Sequence, residues 1–197
     1  MRPGQPGFDA LDCGPSVLAF QSERKRIAIT STLTRELSDY VYADSPDWLG
    51  DPFLAKWMPA QRIAQAKTEL KERQSANPEI ALNRKDFEFA TKNLRKMFEG
   101  GVRIGFGTDS GNEPPRFEGY FDHLEMQLTV KYGGMTPMQV IQAFSKTNSE
   151  VLGIDKDYGT LAKGKVADLL VLEKNPVDDI SNTETLRTVY IAGKKFE

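Results

Sequence analysis

A predicted helix, a pair of glycines and a short apolar strand follow one another near the middle of the sequence, and this order constrains the fold most. Asn83 is a favourable N-cap for the helix, and Gly100 and Gly101 favour a left-handed C-terminal end. Residues 102–106 then predict a buried strand. A helix that leads directly into a buried strand is half of a repeating α/β unit, so we expect parallel strands with helices packed on them. The apolar face of the helix comprises Phe87, Ala90, Leu94 and Met97.

Capping residues and periodicity predict further regular elements on both sides of this unit. Residues 60–76 and 120–132 carry helical patterns. Thr136, followed by a proline and then by Gln139, predicts a helix that opens with a capping box. A short strand is expected at 27–29.

The C-terminal region changes character after Gly159. Residues 166–172 form an apolar run, and residues 186–191 alternate in part. Ala192 and Gly193 then supply a turn. This pattern predicts a small antiparallel β unit at the end of the chain.

Two segments lack the hydrophobic periodicity of a helix or a strand. Residues 1–29 begin with alternating prolines and glycines, which predicts a loop or a disordered end, and the basic trio at 24–26 predicts a solvated patch. Residues 30–59 combine large aromatic side chains with prolines, which predicts a long irregular stretch. This stretch, with Trp48 and Trp57, is either a lid over a functional site or a surface loop packed against the core.

Charge and cysteine content exclude several classes of protein. The 197 residues include 26 Lys and Arg against 28 Asp and Glu, a net charge of −2, which argues against a dedicated nucleic-acid binder. No apolar run reaches the roughly 18 residues of a membrane helix. Cys13 is the single cysteine, so an internal disulfide is impossible and a reducing, cytoplasmic location is expected. Because His123 is the single histidine, Cys and His cannot supply the roughly four ligands of a closed zinc site.

Asp109 is the strongest candidate for chemistry. It lies just past the C-terminal end of the predicted strand at 102–106, in a turn of Gly, Thr, Ser and Gly. In α/β folds, ligands and metals bind at that edge of the sheet. A carboxylate there can bind a divalent ion or act as a general base. The alternative is a turn aspartate that hydrogen-bonds its own backbone.

Two basic side chains follow Asp109 in the sequence. Arg116 could hold a substrate carboxylate with two hydrogen bonds, although a solvated arginine is the simpler interpretation. His123 lies near the start of the next predicted helix, where it could contact a substrate or orient a carboxylate. The alternative for His123 is a packed side chain with no functional role.

Several motifs stand in an order that resembles a known family. The run 101–111, Gly-Val-Arg-Ile-Gly-Phe-Gly-Thr-Asp-Ser-Gly, is similar to the eighth barrel strand of the metal-dependent amidohydrolase superfamily, in its imidazolonepropionase-like branch. Other matching segments are 32–37, 51–54, 123–130, 134–138, 159–172, 175–176 and 189–194. Each motif alone is a weak signal, but their common order makes the resemblance specific. It extends over residues 30–197 and corresponds to the C-terminal portion of such proteins.

The resemblance implies a TIM-like (β/α)8 barrel that carries a small β-sandwich. A complete barrel takes about 250 residues, so the expected α/β fold is an incomplete barrel. About the last two barrel units are expected at 30–158 and part of the sandwich at 159–197. Residues 1–29 are unmatched and are expected to be disordered or an artefact.

The same resemblance implies roles for individual residues. The aspartate that follows the eighth strand binds metal and accepts a proton from the attacking water, and Asp109 stands at that position. Arg116, Tyr120 and His123 are expected to line the substrate loop. The implied cofactor is a divalent metal, usually zinc, in a full-length parent. The His-x-His pair and the other histidine ligands of the superfamily have no counterpart in this sequence, so the isolated chain is expected to be inactive and could lack metal altogether.

The functional expectation is therefore a C-terminal fragment of an enzyme that hydrolyses carbon–nitrogen bonds with metal-activated water. Its substrate is expected to be a small cyclic amide, amidine or dipeptide. The alternative is a non-catalytic remnant, or a module that assembles with a missing barrel half. Expected partners are the small substrate and either a second copy or that barrel half, with no nucleic acid and no membrane.

Overall fold

The computed structural model describes residues 28–111 and 115–196. The basic trio and nearly all of the unmatched segment at 1–29 lie outside these residues. Within them, no helix is both long enough and apolar enough to cross a membrane.

Two short parallel strands form the inner sheet. Strand β1 (Ile29–Ser31) pairs with β2 (Ile104–Phe106), with Ile29 opposite Ile104 and Ser31 opposite Phe106. All three residues of β2 are buried, as predicted for the strand at 102–106, although β2 begins two residues after the predicted start. The strand predicted at 27–29 overlaps β1 at Ile29, and its first residue, 27, lies outside the described residues. Parallel pairing joins segments some 75 positions apart in the chain, which agrees with the predicted α/β class.

The segment 30–59 is a series of short helical turns, so the prediction of an irregular stretch was wrong. The structure places two α-helices there, α1 (Leu33–Ser38) and α2 (Pro52–Trp57), and two 3₁₀ turns, Val41–Asp44 and Asp47–Gly50. The prolines open helical turns instead of preventing them. Asp51 caps α2 by accepting a 2.7 Å hydrogen bond from the Phe53 N–H, with proline in the first turn.

The next helical segments agree with the predicted pattern, with one shifted boundary. Helix α3 (Ala60–Gln65) continues through a π turn (Ala66–Leu70) into α4 (Lys71–Ser75). Helix α5 (Ile80–Glu99) begins three residues before the predicted N-cap. Asn83 is therefore not a cap; it lies inside α5, and its side-chain amide donates to the Asp39 carbonyl at 3.2 Å.

The second half of the inner region follows the predicted caps closely. Helix α6 (Tyr120–Gly133) ends at a left-handed glycine, Gly134. Helix α7 (Pro137–Gln142) opens with the predicted capping box of Thr136 and Gln139. A π turn (Ala143–Thr147) and helix α8 (Asn148–Val151) continue it.

The C-terminal region is a three-stranded antiparallel sheet, as predicted. Its strands are β3 (Leu169–Leu172), β4 (Leu186–Ile191) and β5 (Lys194–Phe196), in that spatial order, and the 3₁₀ turn Ile180–Glu184 precedes β4. In the described part of the chain this sheet and the β1–β2 pair are the two sheets. The structure therefore shows a mixed α/β chain.

An aromatic cluster joins the helical turns to α6. The Trp48 ring meets the ring of Phe121 edge-on, with centroids 5.6 Å apart, and lies 5.7 Å from the ring of Tyr120. Tyr42 and Phe117 complete its surroundings. Packing against the core, rather than a free lid, describes Trp48. Trp57 is 60% exposed and stands outside this cluster.

A buried carboxylate fastens α6 to the end of β1. The side chain of Glu125 is fully buried and accepts hydrogen bonds from the N–H groups of Leu33 (2.8 Å) and Thr34 (2.6 Å) and from the Ser31 hydroxyl (3.3 Å). These N–H groups belong to the first turn of α1, which has no partners of its own for them. Burial raises the pKa of Glu125 to about 7, although the hydrogen bonds from Thr34 and Leu33 act in the opposite direction.

Replacing this carboxylate should destabilise the fold. In Glu125→Ala the N–H groups of Leu33 and Thr34 stay buried without an acceptor, which costs about 2–4 kcal/mol of unfolding free energy. Urea denaturation of both proteins measures this difference. The matched control is Glu88→Ala, because Glu88 is exposed on α5 and its carboxylate lies 3.8 Å from Lys92 at the surface. Its effect should stay within about 0.5 kcal/mol. Equal effects for the two variants would contradict the role given to Glu125.

Candidate functional site

Asp109 stands where the sequence places it, three residues after the end of β2. Its backbone is left-handed, with φ of 50°, a region that residues other than glycine rarely occupy and that is often found at functional sites. The preceding Thr108 is buried, whereas the Asp109 side chain is 58% exposed. The carboxylate is therefore held on a constrained backbone and faces solvent.

Arg116 fixes both the backbone and the side chain of Asp109. Its Nη2 lies 3.1 Å from Asp109 Oδ2, and its Nε donates to the Asp109 carbonyl. A third, longer contact of 3.5 Å joins Nη1 to the Ser38 hydroxyl. The Arg116 side chain is only 3% exposed, so the interpretation as a solvated arginine was wrong. Its guanidinium therefore bonds to the left-handed turn and forms an ion pair with the carboxylate.

Tyr120 and His123 have partners other than Asp109. The Tyr120 hydroxyl donates to Asp51 Oδ2 at 3.2 Å, and burial raises the pKa of this phenol. His123 Nδ1 lies 2.9 Å from the Thr183 hydroxyl oxygen. Phe53 contacts both residues: its ring centroid lies 6.3 Å from that of Tyr120 and 4.9 Å from that of His123, which it meets edge-on. The structure thus brings Arg116 to Asp109 and gathers Tyr120 and His123 around Phe53; the substrate-binding role of all three stays a prediction.

The sequence did not single out the acidic partners of this second group. Glu184 accepts a 2.6 Å hydrogen bond from Gln127, and burial together with the charge of Asp51 raises its pKa to about 7. Asp51 carries a local signal, because an aspartate before proline favours a helix N-terminus. No local signal predicts its bond to Tyr120, which is 69 positions away.

The described residues do not form a metal site on their own. Across 28–111 and 115–196, no group of three or more His, Cys, Asp or Glu side chains is arranged to hold an ion. Asp109 is also already paired with Arg116. One carboxylate cannot fix a divalent ion and leave an open coordination position, so these residues do not by themselves fit the expected metal.

The sequence of this chain matches a known family over most of its length. The model of the amidohydrolase family matches residues 57–196. The chain belongs to the amidohydrolase family. This confirms the resemblance drawn from the motif order.

Two curated relatives place the chain within that family. Ochratoxinase from Aspergillus niger is 33% identical over 110 residues, which cover 54% of this chain and 22% of the relative. Imidazolonepropionase from Deinococcus deserti is 29% identical over 106 residues, covering 51% of this chain and 25% of the relative. The chain therefore aligns with about a quarter or less of each of these relatives, which are hydrolases of the amidohydrolase family.

Two solved structures are similar to this chain. The crystal structure of A. niger ochratoxinase is 27% identical, with a TM-score of 0.52 over 66% of this chain and 30% of that protein. A Xaa-Pro dipeptidase with bound methionine gives a TM-score of 0.62 over 93% of this chain and 37% of that one. At 22% identity, the dipeptidase shows a shared fold only.

The buried environment of His123 predicts the pKa of its ring. Burial lowers the pKa of His123 to about 4, so the ring is neutral at pH 7. The unfolded chain should titrate near 6.5. Because protonation then favours the unfolded chain, the stability linked to His123 is full above pH 6.5 and is lost as the pH falls towards 4.

Proton NMR of the ring measures this directly, since the chain has a single histidine. We expect a titration midpoint near pH 4 in the native protein and near 6.5 in urea. A native midpoint at or above 6.5 would show that His123 is exposed or carries an acidic partner.

Proposed function

We propose that this chain supplies the Asp109-bearing C-terminal segment of a metal-dependent amidohydrolase that hydrolyses carbon–nitrogen bonds. The observation that carries the proposal is the exposed carboxylate of Asp109, held in a left-handed turn at the C-terminal end of a buried parallel strand. Family membership supplies the class of reaction. The substrate class is a cyclic amide, an amidine or a dipeptide.

The architecture that goes with this function is part of the proposal. Strands β1 and β2 would be the last two strands of a TIM-like barrel, within a unit at 30–158. The sheet of β3, β4 and β5 would be one part of a β-sandwich at 159–197. Its exposed apolar side chains, which include Leu170 and Phe196, support a further covering layer.

Each predicted site residue has a proposed task. Asp109 would serve as one metal ligand and as the acceptor of a proton, while Arg116 holds its backbone. Tyr120 and His123 would face the substrate side. The cofactor would be a divalent metal, with zinc as the first choice, and further ligands would come from outside the described residues. Such an ion supplies activation of water, so we propose that the isolated chain is inactive.

The setting of this activity is proposed on the same grounds. A reducing, cytoplasmic location fits the single Cys13. The small substrate, and a second copy or a complementing barrel half, are the proposed partners. Nucleic acid and membrane are not among them.

A second candidate function has its own supporting observation. Asp109, the expected metal ligand, already forms an ion pair with Arg116 of the same chain. A chain that keeps this pair permanently would act as a non-catalytic assembly module.

A chimera distinguishes the two functions. Residues 57–196 of this chain would replace the matching segment of A. niger ochratoxinase, and hydrolysis of that enzyme's own substrate would be assayed with added zinc. We expect hydrolysis that falls at least about 100-fold in Asp109→Asn, because loss of a metal ligand or proton acceptor removes that much or more. The control is Glu118→Gln, an exposed carboxylate of the same loop that pairs with Arg62 at 3.0 Å, with an expected change below threefold. A folded chimera that is inactive, or equally active with Asn at 109, would contradict the catalytic proposal.

A further inference from the structure

The outer edge of β2 is closed by a side chain instead of a strand. The amide of Asn148 makes two hydrogen bonds with the backbone of Phe106: the Phe106 N–H donates to Oδ1 at 2.9 Å, and Nδ2 donates to the Phe106 carbonyl at 2.8 Å. These are the two bonds that a neighbouring strand would make with one residue of β2. The opposite edge of β2 is occupied by β1.

A glycine in β2 makes room for this amide. A Cβ built on Gly105 would lie 2.8 Å from Asn148 Oδ1, a separation that real Cβ atoms essentially never show, and its next neighbours are 4.0 Å away. Among the described residues, Asn148 is thus the group that a Cβ at position 105 would displace. Glycine within a strand is otherwise unfavourable and often marks a close approach of another group.

The segment that carries Asn148 also holds the Phe106 side chain. The Phe106 and Phe144 rings stack with centroids 4.7 Å apart and an angle of 12° between their planes. Phe144 lies in the π turn (Ala143–Thr147) that runs directly into Asn148. The ring and the backbone of Phe106, the last residue of β2, are therefore both held by the segment from Phe144 to Asn148. Phe106 lies three positions before Asp109.

We propose that Asn148 is a positioning residue for Asp109. Its amide substitutes for a neighbouring strand at Phe106, determines where β2 ends, and thereby sets the turn in which Arg116 holds Asp109. The catalytic meaning of this placement rests on the proposed function. The placement itself can be tested in the chain alone, without metal or turnover.

The experiment uses NMR of the full chain with two reporters. Hydrogen exchange of the Phe106 amide reports the bond to Asn148, and the Nε–H signal of Arg116 reports the bond to the Asp109 carbonyl. In Asn148→Ala we expect exchange at Phe106 to accelerate at least tenfold and the Arg116 signal to shift. Asn83→Ala is the matched control, because it removes one amide–carbonyl bond elsewhere; both reporters should stay as in the unmodified chain.

A second variant disturbs the same contact by a substitution in β2. Gly105→Ala should displace the Asn148 amide and reproduce both changes. When Gly105→Ala is combined with Asn148→Ala, Asn148 Oδ1 is no longer there to obstruct the new methyl group. The double variant should therefore keep the Phe106 exchange rate of Asn148→Ala within about twofold and leave the Arg116 signal at the same position. Asn148→Asp covers the case in which the alanine variant fails to fold; it keeps an acceptor for the Phe106 N–H and lacks the donor for the carbonyl.

The outcomes separate this proposal from the proposed function. Unchanged Phe106 exchange in Asn148→Ala would show that the two bonds are not made. Faster exchange with an unchanged Arg116 signal would show that Asn148 closes the strand without positioning Asp109; either result overturns the proposal. An inactive chimera would overturn only the proposed function. In an active chimera, Asn148→Ala should lower kcat at least about tenfold and leave KM within twofold.

Discussion

The rest of the inner structure depends on one buried carboxylate, that of Glu125. A parallel sheet of two three-residue strands makes too few ladder bonds to hold itself together. Glu125 reaches from α6 to the first turn of α1 and accepts the N–H groups of Leu33 and Thr34. It therefore fixes the point at which the chain leaves β1 and enters a helix. The cost of burying a carboxylate is offset because three donors, two of them from a helix N-terminus, converge on it.

The Thr34 hydroxyl connects this carboxylate to the candidate site. Thr34, whose N–H is held by Glu125, donates its side-chain hydroxyl to the Thr108 carbonyl at 3.3 Å. Thr108 immediately precedes Asp109, the residue with the left-handed backbone. The ends of β1 and β2 are thus tied to each other by polar contacts, and Arg116 holds the turn that follows. Preorganisation of this kind lets one exposed carboxylate keep a defined position on short strands.

Local physical chemistry explains which features could be predicted from the sequence. The capping box at Thr136, the left-handed Gly134 and the buried strand predicted at 102–106 each depend on a few neighbouring residues. The structure contains all three, with the strand at Ile104–Phe106. The predicted cap at Asn83 was wrong because this side chain found a tertiary acceptor, Asp39, once the helix had begun earlier.

The candidate site could be predicted only in part, for the same reason. The position of Asp109 follows from the strand that precedes it. The burial of Arg116 and the bond from Tyr120 to Asp51 depend on how distant segments pack. The turns at 30–59 were missed because proline at a first helical position resembles proline in a loop when only composition is considered.

The position at which zinc binds in the ochratoxinase chimera tests the proposed role of Asp109 most directly. Crystals grown with zinc and measured at its absorption edge would give the ion's position as an anomalous peak. We expect a peak within coordination distance of the Asp109 carboxylate, with β2 and its turn unchanged. A peak on other residues, with Asp109 still paired to Arg116 alone, would contradict the claim that this strand delivers a metal ligand.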